Sequence, residues 1–251
     1  MGHAGRGDDR RAPAPALRLR RGGGKRPRDH AERRGPALGA GAGGAAMSHV
    51  LMLQSSGGVL ALGIGAGDRV IFDSSGDTAL AQARDIDGAL RKGLAETGLR
   101  LGDLDRIGVD IGPGGLGATR TAAAFANALG FALGVPVIGL PAFALLGFHG
   151  ARATGRPVLI ARRAARPHLF LGRYTDRLER FDYVTEDDAQ AAIDAESGPF
   201  TLAGNMRFQH GGTLREPLTN AAPLTDMLAL MRSPAYLERN DASAVPITED
   251  L

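Results

Sequence analysis

The sequence predicts an α/β protein with mixed sheets, and three observations carry that expectation. Residues Val109–Arg120 (VDIGPGGLGATR) and then Thr121–Leu140 (TAAAFANALGFALGVPVIGL) read as a strand, a glycine loop, a helix with almost no charge and a second strand. Ahead of them, short apolar runs broken by Ser, Gly and Asp read as an antiparallel meander. Beyond residue 150 the chain changes character, and strands and helices alternate less regularly. Segments of this kind stack as layers of sheet and helix.

The elements follow in order. His49–Gln54 (HVLMLQ) is a buried strand, Ser55–Gly58 a turn and Val59–Ile64 the return strand of a hairpin. Gly65–Asp68 turns again into a third strand, Arg69–Phe72. Asp77 or Thr78 caps a helix that runs to about Thr97, with Ala79, Ala83, Ile86, Leu90 and Leu94 as its core stripe and Gly98 as its stop. Ile107–Ile111 is a strand, and a helix over 118–133 follows the glycine loop. In the second half Pro157–Ala161, His168–Tyr174, Arg180–Val184 and Phe200–Ala203 read as strands, and Asp187–Ala195 and Leu224–Met231 as helices.

At 100° per residue, helix 118–133 places Ala118, Ala122, Phe125, Leu129 and Leu133 on one face, which is expected to meet the sheet. The opposite face carries Arg120, Ala123, Ala124, Asn127, Gly130 and Phe131. A helix exposed on that side normally shows several charges, and here Arg120 is the single one. Small residues let a second helix approach closely, and Phe131 supplies an aromatic anchor. That face is expected to dock on a partner; the alternative is that the second half or the C-terminal helix covers it. Arg120 also sits in the first turn, where the helix dipole disfavours a cation. Asp110, or an anion or acid from outside, is expected to offset it.

Charge is unevenly placed. Residues 1–46 hold 11 Lys/Arg and 4 Asp/Glu, while the remaining 205 hold 19 and 23. The globular part is therefore mildly acidic and offers no strong nucleic-acid surface of its own. The tail contains no Val, Ile, Phe, Tyr or Trp, so it cannot offset its ordering entropy and is expected to be disordered. A basic RNA-binding arm is one reading of it; a start codon assigned too early, with the true start at Met47, is the favoured one. It lacks the apolar segment of a secretory signal. With no cysteine in the chain, disulfides, thiolate zinc sites and thiol nucleophiles are excluded, which fits a reducing cytoplasm. No run approaches the roughly 20 apolar residues of a membrane span.

Several chemistries are disfavoured by spacing. Gly112, Gly114 and Gly117 fit G-x-G-x-x-G, yet no acid follows the next strand, which runs into Pro141-Ala142-Phe143, and Pro113 sits inside the loop with Gly115. The favoured reading of Gly112, Pro113, Gly114, Gly115 and Gly117 is a turn that packs a helix on a strand; a Rossmann-type oxidoreductase is the remote alternative. The histidines are His3, His30, His49, His149, His168 and His210, and no two are four apart, so no helical His-pair metal site exists. Ser55 and Ser56 lie in a turn without the G-x-S-x-G elbow of a serine nucleophile.

The wording of 99–120 (LRLGDLDRIGVDIGPGGLGATR) with Gly134–Gly139 (GVPVIG) resembles the TsaB (YeaZ) family, whose members carry a G-P-G-S-F-T-G-x-R loop, an Ala/Gly-rich helix and a G-[IV]-P-[LV]-x-G strand. The resemblance runs from about Met47 to Arg239, is densest over 86–147, and ends on Pro234-Ala-Tyr236-Leu237-Glu-Arg239, similar to a P-x-Y-L-R terminus. It implies an actin-like ATPase fold of two RNase-H-like lobes: a basic tail over 1–46, an N-terminal lobe over 47–149 and a smaller, degenerate C-terminal lobe over 150–251. It also implies a cytoplasmic, non-catalytic scaffold of the machinery that forms N6-threonylcarbamoyladenosine at position 37 of tRNAs. Such a subunit has no cofactor or metal, docks on a TsaD-like subunit, is joined by a TsaE-like ATPase, meets tRNA only through the complex, and pairs with itself when alone.

Two departures from the family matter. The actin-like fold holds ATP and metal with an Asp on its first strand, and the corresponding stretch here is Gln54-Ser55-Ser56. An amide is a poor ligand for magnesium, so the rival reading, a small actin-like ATPase or kinase, is disfavoured; Gln54 is expected to bond local backbone. The family's D-A-R-x-x-E-V-Y strand pair is replaced by Arg162-Arg163-Ala-Ala-Arg166-Pro167-His168-Leu-Phe170. Arg162, Arg163 and Arg166 are read either as a basic contact to a phosphate or acidic partner, or as a solvated turn.

Overall fold

Alternating burial along His49–Gln54 sets the architecture, because its neighbouring residues serve two different cores. In the computed structural model, which describes residues 48–234, this strand (β1) pairs antiparallel with β2 (Ala61–Ala66) and parallel with β4 (Arg106–Asp110). With β3 (Arg69–Asp73) and β5 (Val137–Leu140) it forms a five-stranded sheet of order β3-β2-β1-β4-β5. The tail 1–46, the start at Met47 and the ending from 235 onward lie outside the described residues. Residues 48–234 form one compact unit.

Leu51 and Leu53 of β1 point to one core with helices α2 (Ile86–Thr97) and α3 (Leu116–Leu133). Val50 and Met52 point to the other, with α4 (Ala142–Thr154) and α6 (Leu224–Met231). The C-terminal helix thus returns to the first sheet, on the side away from α3. The second sheet has order β8-β7-β6-β9, built from β6 (Val158–Arg163), β7 (His168–Tyr174), β8 (Leu178–Thr185) and β9 (Thr201–Gly204). Helix α5 (Glu186–Asp194) covers one face of it through Ala189 and Ile193. The other face meets Phe143 and Leu146 of α4. Helix α4 therefore lies between the two sheets. Gly147 makes its close approach feasible, since a Cβ there would stand 2.2 Å from the Tyr174 ring. The α/β architecture with mixed sheets is as expected.

Several elements differ from expectation. The helix assigned to 78–97 is two helices, α1 (Thr78–Ala83) and α2, broken where Arg84 takes φ 52° and the Asp85 carboxylate accepts from the Gly88 N–H. A cap inside a helical pattern restarts the helix, because the Asp side chain satisfies amides that the preceding turn would otherwise bond. Ala79 is exposed, and Leu80 packs on the core instead; the side chain of Ala83 lies outside the described set. The return strand begins at Ala61 rather than Val59, which is exposed, so the hairpin loop is longer than a tight turn. Helix α4 had no sequence assignment: its sequence AFALLGFHGARAT is buried on two sides and shows no polar face to mark the period. The hairpin of β10 (Phe208–His210) and β11 (Thr213–Arg215) was also unassigned.

Candidate functional site: the inter-sheet junction and the outer face of α3

The glycine loop is bound to its own chain. Asp110, 1% exposed at the end of β4, accepts from the Gly112 N–H at 2.9 Å and from the Ser56 N–H at 3.0 Å. Gly112 has φ 83°, and its carbonyl receives the Ala142 N–H at 2.7 Å, fixing the start of α4. A Cβ on Gly114 would lie 2.2 Å from the Ser56 carbonyl oxygen. Gly112 is thus required by its backbone conformation and Gly114 by its contact with the first hairpin, whereas a Cβ on Gly115 or Gly117 would meet open space.

From the other sheet Arg162 enters this junction. It is 3% exposed. Its Nη1 donates to Ser56 Oγ and to the Pro113 carbonyl, both at 2.7 Å; its Nε donates to Asn220 Oδ1 at 3.1 Å and its Nη2 to the Asn220 carbonyl. Asn220 Nδ2 in turn donates to the Gly57 carbonyl at 3.0 Å. Burial pushes the Arg162 guanidinium below the usual arginine range, and the Asp110 carboxylate opposes that shift. Arg162 is not the solvated turn residue of one reading: it is buried, and its Nε, Nη1 and Nη2 donate to acceptors of its own chain. Arg163 and Arg166 are exposed, the former 3.3 Å from Glu186.

The magnesium-bound nucleotide that the fold implies for such a junction does not fit these residues. Gln54 is 5% exposed and neutral, and its side chain hydrogen-bonds no described residue, so the local backbone bond expected of it is not made. The stretch that would carry the metal carboxylate is bonded instead by a buried cation. No cluster of three or more His, Cys, Asp or Glu with metal-binding geometry occurs among the described residues.

Other candidates resolve into structural roles. His149 Nδ1 lies 2.6 Å from Asp226 Oδ2, and Arg152 Nη1 donates to Asp226 Oδ1 at 2.6 Å, clamping α4 to α6. Ser55 Oγ is buried without a partner beside a cleft of about 100 Å³ that Arg84, Gly117 and Thr121 also line. Sequence reasoning missed an aromatic row on β7 and β8: His168 stacks on Tyr183 at 4.7 Å, and Phe170 on Phe181 at 5.6 Å. Its signal was the cross-strand alternation of aromatics, visible only once the register was known.

The expected docking face is narrower than drawn from the sequence. Ala123 and Gly130 are buried within the monomer, the latter because its Cβ position is 2.3 Å from Val137 Cγ2. Ala122 and Ala126, not the larger residues, sit deepest on the sheet, with Phe125, Leu129 and Leu133 flanking them partly buried. Arg120, Ala124 and Phe131 are exposed and Asn127 is half-buried. Phe131 is 92% exposed. The C-terminal helix does not cover this face, since it packs on the other side of the sheet. Asp110 does not neutralise Arg120 either: its oxygens are taken by Ser56 and Gly112, and Arg120 has no ion pair among the described residues.

Comparison with known proteins bears on this geometry. A family model described as TsaD, tRNA N6-adenosine threonylcarbamoyltransferase, matches residues 78–205, just over half of the chain. An uncharacterized protein of Mycobacterium tuberculosis is 31% identical over 72% of this chain and 84% of its own. The tRNA N6-adenosine threonylcarbamoyltransferase of a Ruegeria species is 44% identical over 25% of this chain; the match spans 17% of that enzyme. Two solved structures from Pseudomonas aeruginosa share the fold. One, described as similar to peptidase YeaZ, has TM-score 0.59 and 23% identity; YeaZ itself has TM-score 0.55 and 22% identity. Each aligns over 73% of this chain and 90% of its own.

Proposed function

Because the chain belongs to the TsaD family of tRNA N6-adenosine threonylcarbamoyltransferases, and has the fold of the YeaZ (TsaB) proteins, we propose that it is a non-catalytic scaffold of that tRNA-modifying machinery. In this reading it docks on a TsaD-like subunit, a TsaE-like ATPase joins the pair, and tRNA is met only through the complex, in the cytoplasm. Without the partner, a second copy takes the same face. No helix of the described residues is long and apolar enough to cross a membrane.

The observation that carries the reading is Phe131, a large aromatic 92% exposed on a helix whose outer side also shows Arg120 and Ala124. Aromatic anchors that become buried on association dominate interface energetics. The junction supports the non-catalytic half of the reading, since a buried arginine and a neutral Gln54 stand where a metal carboxylate and phosphate would be needed.

The test is a titration against the TsaD-like subunit of the same host. Wild type should form a one-to-one complex, and Phe131→Glu should weaken it at least about tenfold, equivalent to roughly 1.4 kcal/mol, while melting like wild type. Unchanged binding by Phe131→Glu overturns the interface. Magnesium-dependent ATP hydrolysis by the purified chain overturns the scaffold reading.

A further inference from the structure

We infer that Arg162 is an internal cation that occupies the inter-sheet junction in place of a metal–nucleotide and ties the two halves into one fixed arrangement. The environment around it is made of acceptors alone: a hydroxyl (Ser56), two carbonyls (Pro113 and Asn220) and an amide oxygen (Asn220). Behind Ser56 stands the buried Asp110 carboxylate. Such a set of oxygens binds a cation, and here the chain supplies its own.

The planar fork of arginine suits the task. Its Nε and both Nη groups donate in different directions, so one side chain reaches the first hairpin, the glycine loop and the 219–221 segment together. A lysine presents a single charged atom and cannot span them. Buried polar networks that are fully satisfied rigidify a junction, and removing one partner leaves the rest unpaired in a low-dielectric site. Arg162 belongs to β6 of the second sheet, while Ser56 and Pro113 lie in the loops that follow β1 and β4 of the first. The contact therefore excludes a bound nucleotide phosphate from this place and holds the halves from opening around it.

Thermal unfolding of the full chain tests this. Arg162→Ala should melt roughly 10 °C below wild type, and methylguanidinium at millimolar concentration should recover part of that loss in the variant while leaving wild type unmoved. Arg162→Lys keeps the charge without the fork and should melt well below wild type, which keeps the test alive if the alanine variant does not fold. Magnesium-ATP and magnesium-ADP should not shift the wild-type melt. The inference is overturned if either ligand raises that melt saturably, if Arg162→Lys matches wild type, or if a folded Arg162→Ala gains nothing from methylguanidinium. None of these readouts involves a partner protein, so their failure leaves the docking reading standing.

Discussion

Asp226 of α6 lies 2.6 Å from His149 Nδ1 of α4, and this pair joins the helix that closes the first sheet to the helix that reaches the second. Asp226 is nearly buried and its other oxygen takes Arg152. The pair fixes α4, which packs on both sheets, to α6 on the first sheet, and it shares no residue with the Arg162 contact.

Removal of that carboxylate leaves a partly buried imidazole and guanidinium without their acceptor. Asp226→Ala should lower unfolding free energy by about 2–3 kcal/mol, the loss moderated by the half-exposed Arg152. Urea denaturation followed by circular dichroism measures it. A change below about 0.5 kcal/mol would mean that the apolar contacts of Leu145, Met227 and their neighbours hold α4 to α6 alone.

The two sides of α3 should respond in opposite ways to small substitutions. Gly130→Ala puts a methyl 2.3 Å from Val137 Cγ2 and 3.1 Å from the Val135 carbonyl, and stiff β-branched Val137 cannot swing aside. Overpacking of this kind costs roughly 1–3 kcal/mol. Ala124→Glu, on the exposed side, should leave stability within about 0.5 kcal/mol and abolish association with the partner. A stable Gly130→Ala variant, or an Ala124→Glu variant that unfolds, would reverse the assignment of faces.

How much was legible follows from what each element packs against. Strand β7 and helix α6 matched expectation because each is an apolar run that starts after a proline, Pro167 or Pro223, and stops at a polar residue, Thr175 or Arg232. Helix α4 was missed because it is buried against two layers: Ala144 and Leu145 face the first sheet, Phe143 and Leu146 the second. Burial on both sides erases the period on which helix recognition depends. The face of α3 was drawn from angle alone, and the sheet drew in the smallest residues, Ala122 and Ala126, rather than the largest. The Asp110 anchor and the Arg162 tie depend on partners 54 and 106 residues away, and no local pattern encodes such distances. Gln54 was legible as a lost carboxylate; what fills the junction was not.

Stability near the start of α1 should be acid-sensitive in a defined direction. Hydrogen bonding from Lys92 holds the Asp77 carboxyl below its ordinary 3.8, assisted by the Leu80 and Ala79 amides, and the same contact raises Lys92 above 10.5. A lowered acid contributes stability above its unfolded value and loses it as pH falls through the folded one; a raised lysine contributes below its unfolded value and loses it as pH climbs past the folded one. Asp77→Asn should therefore cost most between about pH 5 and 9 and progressively less below 3.8. Paired denaturant melts across that range check it, and a cost that does not shrink in acid would show that capping alone, not the ion pair, is at work.

Arg84 closes α1 in the left-handed region at φ 52°, the lone non-glycine residue there among the described residues. A side chain in that region is strained by its Cβ against the neighbouring carbonyl, whereas glycine adopts it freely and is the usual residue at a helix C-terminus. The guanidinium makes no ion pair among the described residues that would compensate. Arg84→Gly should consequently raise stability by roughly 0.5–1 kcal/mol, the strain relief exceeding the added freedom of the unfolded chain. Arg84→Val, whose branched Cβ tolerates positive φ least, should lower it by about 1–2 kcal/mol. Equilibrium unfolding of both variants decides the matter. If the glycine variant is the less stable one, Arg84 is held in place by a contact across the adjoining cleft of Ser55 and Gly117, and its backbone conformation is a consequence of that contact rather than of the helix end.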